Sequence, residues 1–189
     1  MEGRAPFEAE FRIRRKDDRV MCLRAKGQVY RDEHNAPFRM LGVCENITAE
    51  REAGEKIRQL SQVVEQSPTM VIITDLNGQI EYVNASFSEI TGYSGEEAIG
   101  RNPRFLRGPE PAPALSNNLW AVVASGRTWK GEFCNRRKNG EVFWVDSAIS
   151  PVLNDQKKVT HFMAIQQDIT LRKEMEKALK DAKEAAEAA

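Results

Sequence analysis

Asn135 and Gln166 are amide residues in two stretches where apolar residues recur at every second position. Side chains two apart on a strand point to the same face of a sheet. Each amide alone is more often a structural residue than a ligand contact, so the prediction depends on the face they share. If Asn135 faces inward, so do Gln166, Ser147 and six apolar residues, namely Phe133, Phe143, Val145, Ile149, Phe162 and Ala164. An apolar face with a few amides is typical of a small-molecule pocket.

Cysteines and histidines are too scarce to support another kind of site. Cys22, Cys44 and Cys134 are odd in number and widely spaced, which fits neither a zinc pattern nor a disulfide framework and suits a reducing compartment. His34 and His161 are too few and too scattered for a metal site. The sequence also offers no nucleophile–base pair and no carboxylate dyad, so we expect neither an enzyme nor a metalloprotein.

Charge balance and hydropathy favour a soluble, cytoplasmic protein. Basic and acidic residues number 28 each and hydrophobic residues make up 41%, so no global charge attracts nucleic acid. No apolar run approaches the ~20 residues of a membrane span. No secretory signal opens the chain. We therefore expect neither nucleic-acid binding nor membrane contact.

Three strand-like runs, around residues 131–138, 141–153 and 158–169, carry the apolar face described above. Asn139-Gly140 separates the first two and is a hairpin-turn signal, because both residues tolerate positive φ. Polar residues at 154–157 supply the next turn. The runs therefore predict an antiparallel meander whose apolar face needs a cover. The basic cluster Arg136-Arg137-Lys138 is expected to be solvated at the end of the hairpin.

The same pattern occurs earlier in the chain, 122 residues before. Phe11 corresponds to Phe133, and Ile47-Thr48 corresponds to Ile169-Thr170. A period this long predicts tandem domains instead of a solenoid. We expect the first copy to be cut short, because a three-stranded sheet with one bare face is marginally stable. The predicted parts are a shortened first domain (1–50), a linker helix (51–64), a complete domain (65–170) and a C-terminal coiled-coil helix (171–189).

Helices are predicted from the spacing of apolar residues. Ala53, Ile57, Leu60 and Val64 recur at spacings of four, three and four, which indicates an amphipathic helix or a short coiled-coil seam. The tail after residue 170 has a similar but alanine-rich seam, and a solvated terminal helix is an equally good interpretation. The other predicted elements are strands at 70–74 and 79–83, a helix capped by Asn84, a short helix capped by Ser94, and a helix over 115–124.

Three strings, ITDLNGQIEYVNASFSEITGYS, WKGEFCNRRKNG and HFMAIQQDIT, resemble a PAS domain over residues 60–170. Residues 7–50 resemble only the C-terminal part of a second one. The resemblance implies an α+β fold, with a five-stranded antiparallel sheet, short helices on one face, flanking signalling helices and a pocket. The C-terminal helix is similar to the one that joins a PAS domain to the dimerisation helices of a bacterial sensor histidine kinase. A downstream kinase domain is therefore the implied partner.

The string GRNPRFLRGPE, residues 100–110, resembles the flavin-binding segment of light-oxygen-voltage domains, a PAS subfamily. The cysteine that bonds to the flavin in that subfamily is replaced by Pro103, so this photochemistry is excluded at that position. Cys134 is expected to face away from the pocket, because it neighbours Asn135 on a strand. The pattern also resembles PAS domains of bacterial redox sensors, which bind FAD without a covalent bond. The implied cofactor is therefore FAD or FMN, held non-covalently.

Individual positions follow the subfamily only in part. Asn102 and Arg104 match the residues that hold the flavin's polar side chain and phosphate, while Asn135 and Gln166 match residues that contact its ring. Arg107 and Val145 depart from the amides that the subfamily usually has there. The resemblance and the shared face together predict these cofactor-binding residues: Asn102, Arg104, Asn135, Gln166, Phe133, Val145, Ile149, Phe162 and Ala164.

Two functions remain open from the sequence. One is a sensory module that binds a flavin and relays its redox state, or light, to a kinase. The alternative is a cofactor-free module for dimerisation and signal relay. On the first hypothesis the signal leaves from Gln166 through Asp168-Ile169-Thr170, with Thr170 capping the exit helix. The first domain is expected to bind no flavin, since its equivalents of Asn135, Val145 and Gln166 are Ile13, Leu23 and Cys44.

We also expect a homodimer. The helices would pair in parallel through their apolar seams. Trp144, Met163 and Ile165 have the strand parity opposite to the pocket residues. They therefore predict an apolar patch on the outer sheet face that a helix or a partner covers.

Overall fold

A computed structural model of the chain describes residues 4–109 and 115–187. The chain divides into two units, Met1–Ser61 and Gln62–Ala189, each with its own sheet. No helix in the described ranges is long and apolar enough to cross a membrane.

The first unit is a three-stranded antiparallel meander followed by a helix. Its elements are β1 (Arg4–Arg14), β2 (Val20–Arg31), β3 (Pro37–Asn46) and most of α1 (Thr48–Glu65), whose last residues, from Gln62 on, belong to the second unit. The strands pair in sequence order, as the alternating pattern and polar turns predict. Much of the apolar surface of this sheet is exposed, including Phe38 at 59% and Val43 at 71%.

The second unit is a five-stranded antiparallel sheet with short helices, in the order β5-β4-β8-β7-β6. Its strands are β4 (Met70–Thr74), β5 (Ile80–Val83), β6 (Trp129–Arg136), β7 (Val142–Leu153) and β8 (Val159–Asp168). Its helical elements are α2 (Ala85–Thr91), α3 (Gly95–Ala98), a 3₁₀ turn (Pro103–Leu106), α4 (Leu115–Ala124) and α5 (Thr170–Glu187). The predicted α+β fold is therefore confirmed.

Two groups of buried apolar side chains hold the helices on this sheet. The larger group joins the sheet to α2, α3 and the 3₁₀ turn, and it includes Ile72, Phe87, Leu106 and Phe143. The smaller group joins α4 to the far end of the sheet through Leu119, Val123 and Trp129. The cavity described below is lined by members of both groups, because Ile72, Leu106 and Leu119 also face it.

Polar side chains cap the N-termini of two short helices, as the sequence predicts. The Asn84 side chain accepts a hydrogen bond from the backbone N–H of Phe87 at the start of α2. Ser94 and Glu97 form a reciprocal capping box around α3. These caps fix where each helix begins. The segment that follows α3 forms one wall of the cavity described below.

Candidate functional site

A cavity of about 140 Å³ lies between the sheet and the helical segments of the second unit. Its walls come from β4, β6, β7, β8, the 3₁₀ turn and α4. The lining residues are Ile72, Thr74, Gly78, Asn102, Pro103, Arg104, Leu106, Arg107, Leu119, Phe133, Cys134, Asn135, Ile149, Phe162, Ala164 and Gln166.

The cavity is large enough to hold more than water. Its volume is well above the roughly 10–15 Å³ that one buried water needs, so it has room for several waters or for part of a small ligand.

Gln166 is the most informative polar residue in the lining. It is only 5% exposed, and on β8 it lies opposite Met70 of β4 and Ser147 of β7. Its Nε2 donates a long hydrogen bond of 3.4 Å to the Ser147 Oγ, whereas its buried Oε1 has no hydrogen-bond partner among the described residues. A buried unsatisfied acceptor costs about 1–3 kcal/mol. Such groups are uncommon in native structures, so Gln166 has an acceptor that is free to take a hydrogen bond from a ligand.

Asn135 supplies a second buried amide on β6. It is 4% exposed and pairs with Phe143 of β7 on one side and with Arg107 on the other. No hydrogen bond of its side chain is found within the described part of the chain. Since a side-chain amide has both donor and acceptor atoms, Asn135 gives the cavity lining a second polar group that can donate or accept.

The mouth of the cavity is formed by the segment around the 3₁₀ turn. Asn102 accepts a hydrogen bond from the Arg104 N–H at 3.1 Å, so its carbonyl caps this turn. Gly78 packs against the same side chain: a Cβ there would lie 2.9 Å from the Asn102 Nδ2, and its φ of +79° also favours glycine. Asn102, Arg104 and Arg107 are all exposed at this edge.

Eight of the nine residues predicted to bind a cofactor line this cavity, namely Asn102, Arg104, Asn135, Gln166, Phe133, Ile149, Phe162 and Ala164. Val145 does not, and that placement was wrong. It is fully buried and packs in the larger apolar group with Phe143. Strand alternation gives the face of the sheet correctly, but it does not say which part of that face the helices cover.

Sequence reasoning did not assign several lining residues to the site. Ile72 and Thr74 are two positions apart on β4, so strand alternation could have placed them both on the face that lines the cavity. Cys134 also lines the cavity, although it was expected to face away. Gly108 packs against it, since the Gly108 N–H donates to the Cys134 carbonyl at 3.1 Å and a Cβ on Gly108 would lie 2.7 Å from the Cys134 Sγ. The segment after the 3₁₀ turn therefore folds over the edge of β6, which strand alternation does not predict.

A hydrogen-bonded joint connects β8 to α5, directly after the cavity. The Asp168 Oδ1 accepts from the Thr170 N–H at 2.9 Å and from its hydroxyl at 2.6 Å. The Thr170 hydroxyl in turn accepts from the Trp144 N–H at 3.0 Å. The prediction that Thr170 caps α5 was wrong, because Thr170 is the first residue of the helix and its hydroxyl binds β7.

Arg137 completes this joint by donating to the Asp168 Oδ2 at 2.7 Å. The Arg137 side chain is only 20% exposed, lies 4.4 Å above the Phe143 ring and also donates to the Ile90 carbonyl. The prediction of a solvated basic cluster was therefore wrong at this residue. Although burial raises the pKa of Asp168, the hydrogen bonds from Thr170 and Arg137 hold it below its ordinary value.

The first unit has the same joint without the charge. The Asn46 Oδ1 accepts from the Thr48 N–H at 3.1 Å and from its hydroxyl at 2.6 Å. The Thr48 hydroxyl accepts from the Cys22 N–H at 2.9 Å, as Thr170 does from Trp144. Asn46 stands where the second unit has Asp168, and Arg15, at the position of Arg137, lies 3.9 Å from Asp17 instead.

A second set of ion pairs fixes the first turn of α5. Glu132 on β6 binds Arg172 and, at 2.6 Å, Lys173. These hydrogen bonds, chiefly that from Lys173, hold the pKa of Glu132 below its usual range. Lys173 also lies 5.6 Å from the Trp144 ring, so α5 covers part of the outer face. Ile165 on that face stays 40% exposed.

Comparison with known proteins identifies the family. A profile described as "PAS domain" matches residues 68–171, and one described as "PAS fold" matches residues 1–44. The first match spans more than half of the chain, so the chain belongs to the PAS domain family. The resemblance noted in the sequence is thus confirmed.

Similar proteins are signalling proteins. A nitrogen fixation regulatory protein of Klebsiella oxytoca is 32% identical over 119 residues, which are 63% of this chain and 24% of that protein. A blue-light-activated histidine kinase of Rhizobium johnstonii is 40% identical over 91 residues, 48% of this chain and 26% of that protein. This chain therefore matches only about a quarter of the length of each of these relatives.

A solved structure of a signalling protein is also similar to this chain. The LOV domain from the blue-light activated histidine kinase of Erythrobacter litoralis EL346 matches with a TM-score of 0.51 at 30% identity. The match covers 56% of this chain and 99% of that domain. The second unit thus has the fold of a LOV-like PAS domain.

Proposed function

We propose that residues 65–170 form a sensory module that binds a flavin non-covalently and relays its redox state, or light, to an output domain. The observation that carries this proposal is the Gln166 side chain, whose Oε1 is buried and receives no hydrogen bond from the part of the chain that the structure describes. A ligand with a polar edge in this cavity would supply that donor. The similarity to a LOV domain supports a flavin as that ligand.

The residues present fit the ring of a flavin. Phe133, Leu106 and Ile149 supply apolar walls. Asn135 and Gln166 would bind the ring's polar edge, and Asn102 and Arg104 its side chain. When bound, a flavin supplies reversible electron and proton uptake. Pro103 has no thiol, so binding through this position is not covalent.

Gln166 would transmit the state of the ligand. A glutamine amide can either donate or accept at the same place, so rotation of the side chain lets Gln166 follow a change in the ligand's protonation. One hydrogen bond changes a free energy by about 0.5–1.5 kcal/mol, which is about two- to tenfold in an equilibrium. Gln166 lies two residues before Asp168, where the joint to α5 begins. We therefore expect a graded shift at α5 and not a complete switch.

The wider assignment follows from the relatives. We infer a shortened first PAS domain (1–50), a linker helix (51–64) and a C-terminal coiled-coil helix (171–189) around the sensory domain. A histidine kinase, such as the relative in Rhizobium johnstonii, is the proposed output domain. The module would act as a cytoplasmic homodimer through its helices and outer sheet face. Exposed apolar residues support this pairing: Ile57 and Leu60 in α1, and Leu171 and Met175 in α5.

A cofactor-free relay is the second candidate, and one observation favours it for the first unit. That unit keeps the joint of Asn46, Thr48 and Cys22, but Ile13 and Cys44 replace the two amides. The joint is therefore retained where the amides are not. We propose that the first unit transmits a signal without binding a flavin.

The test is to measure flavin bound to the purified chain by absorbance and fluorescence, before and after incubation with FMN or FAD. We expect one flavin per chain, released on denaturation without residue on the protein. Asn135→Leu should lower the bound amount, while Ile13→Leu, at the equivalent position of the first unit, should not. Absence of binding to either flavin at tens of micromolar would refute this function and leave the relay.

A further inference from the structure

The outer edge of β3 is an open strand edge in the described part of the chain. β3 pairs with β2 along one edge, and no described strand pairs with the other. β8, which lies 122 residues later, is paired antiparallel on both edges, with β4 and β7. β3 thus corresponds to a central strand, yet all ten of its residues are exposed.

The backbone of β3 determines which groups this open edge presents. The Ile47 N–H donates to the Cys22 carbonyl at 2.9 Å, so the backbone groups of Ile47 face β2. Because these groups alternate in direction along a strand, those of Met40 and Gly42 face the open edge. Unpaired N–H and C=O groups at an edge are a template for another strand, and proteins often block such edges with lysine or proline. Residues 38–46 contain neither.

The charges of β3 are complementary to those of a second β3 that runs antiparallel to it. Arg39 lies three residues before Gly42 and Glu45 three residues after it. A two-fold axis at Gly42 therefore sets Arg39 of each copy opposite Glu45 of the other, whereas an axis at either neighbouring residue sets both charges opposite apolar side chains. Directly opposite unlike charges stabilise a strand pair, and like charges destabilise it.

Both charged groups are available for this pairing. Arg39 has no ion pair among the residues that the structure describes, and Glu45 reaches Arg24 at 4.0 Å. Arg24 itself binds Glu10 more closely, at 2.9 Å. A second strand at this edge would leave Arg39 and Glu45 with one close partner each.

Two apolar side chains beside the axis would also be covered. Leu41 is 59% exposed and Val43 is 71% exposed. With the axis at Gly42 they lie opposite each other in a non-hydrogen-bonded pair, where side chains approach most closely. We propose that β3 pairs antiparallel with β3 of a second copy of this chain about a two-fold axis at Gly42, which joins two three-stranded sheets into one. This surface is separate from the helices and the outer sheet face of the homodimer proposed above, and it does not depend on flavin binding.

Disulfide cross-linking of the full chain tests this register. The Cα atoms of Leu41 and of Val43 in the other copy would be about 4.5 Å apart, which a disulfide can span. A mixture of Leu41→Cys and Val43→Cys should therefore form a cross-linked dimer under mild oxidation, with the bond assigned by peptide mapping. Each variant alone is the matched control. Its new thiols lie on the diagonal of the pair, about 7–8 Å apart, and should not form a bond.

Charge reversal tests the pairing of Arg39 with Glu45 in the same assay. Arg39→Glu in both cross-linking chains puts carboxylates opposite each other at both ends of the strand, so the cross-linking rate should fall about tenfold. Arg39→Glu in one chain and Glu45→Arg in the other makes every pair opposite in charge again, and the rate should recover.

Absence of the cross-link in the mixture would overturn the inference even if the chain sediments as a dimer, because pairing through the helices does not require these two positions to meet. Equal cross-linking by the single variants, or a rate that ignores the charge reversals, would overturn it as well. Flavin does not enter these measurements, so the proposed function and this inference can fail independently.

Discussion

Asp168→Asn isolates the charge at the joint between β8 and α5. The substitution keeps an oxygen that accepts both hydrogen bonds from Thr170, as Asn46 does for Thr48 in the first unit. It removes the charged contact with Arg137, whose side chain is 20% exposed. A hydrogen bond between charged groups contributes about 1.5–3 kcal/mol. Because both groups are partly solvated, we expect a loss near the lower limit, about 1.5 kcal/mol.

The pH dependence gives this prediction its sign. The pKa of Asp168 is lowered in the folded state, so its contribution is complete above the unfolded pKa of about 4 and is lost as the pH falls through the folded value. The parent and Asp168→Asn should therefore differ most at neutral pH and converge in acid.

Thermal unfolding followed by circular dichroism between pH 3 and 7 measures the difference. We expect the melting temperature of Asp168→Asn to fall by a few degrees at pH 7, which corresponds to ~1.5 kcal/mol for a domain of this size. Asn46→Asp is the matched control. It places a carboxylate at the equivalent joint of the first unit, where Arg15 is not present to pair with it, so this variant should gain no stability. An unchanged melting temperature for Asp168→Asn, or a loss that stays constant down to pH 3, would refute the reasoning.

Three further predictions follow from the cavity and the helices. Gln166→Leu should raise the stability of the ligand-free chain by about 1 kcal/mol, because it removes an unsatisfied carbonyl; in the full-length protein it should still bind flavin while output stops following the redox state. A loss of stability, or a redox response like the parent's, would show that Gln166 only packs. Gly78→Ala should cost about 1 kcal/mol or more at φ +79° and weaken flavin binding through Asn102, and unchanged melting and affinity would contradict this. Sedimentation at tens of micromolar should detect a dimer, and a monomer there would count against pairing through Ile57 and Met175.

The sequence predicts the fold well where local signals agree. Asn139-Gly140 and the alternation on either side of it determine the hairpin of β6 and β7, and the structure has it. Asn84 predicts the start of α2 because few other side chains cap a helix so well. The face that contains Asn135 and Gln166 is predictable for the same reason, since the period of a strand does not depend on the rest of the fold.

Features that depend on contacts between distant segments were not predictable. Arg137 and Asp168 are 31 residues apart, so no spacing in the sequence indicates that they pair. Thr170 was assigned to the helix cap because threonine is a common capping residue at such a position. In the structure its hydroxyl instead accepts a hydrogen bond from the N–H of Trp144. Val145 was assigned to the pocket from strand alternation alone. Alternation identifies the face of the sheet, but it does not indicate how far the helices extend along that face.

Asn84 ties together four backbone groups that belong to separate parts of the second unit. Its Oδ1 accepts from the N–H groups of Val71 and Phe87, and its Nδ2 donates to the carbonyls of Val64 and Thr69, all between 2.9 and 3.3 Å. Its amide thus has all four of its hydrogen-bonding positions filled. The last turn of α1 therefore cannot fray without leaving a buried amide unsatisfied beside β4 and α2. In hydrogen exchange, these segments should open together as one cooperative unit.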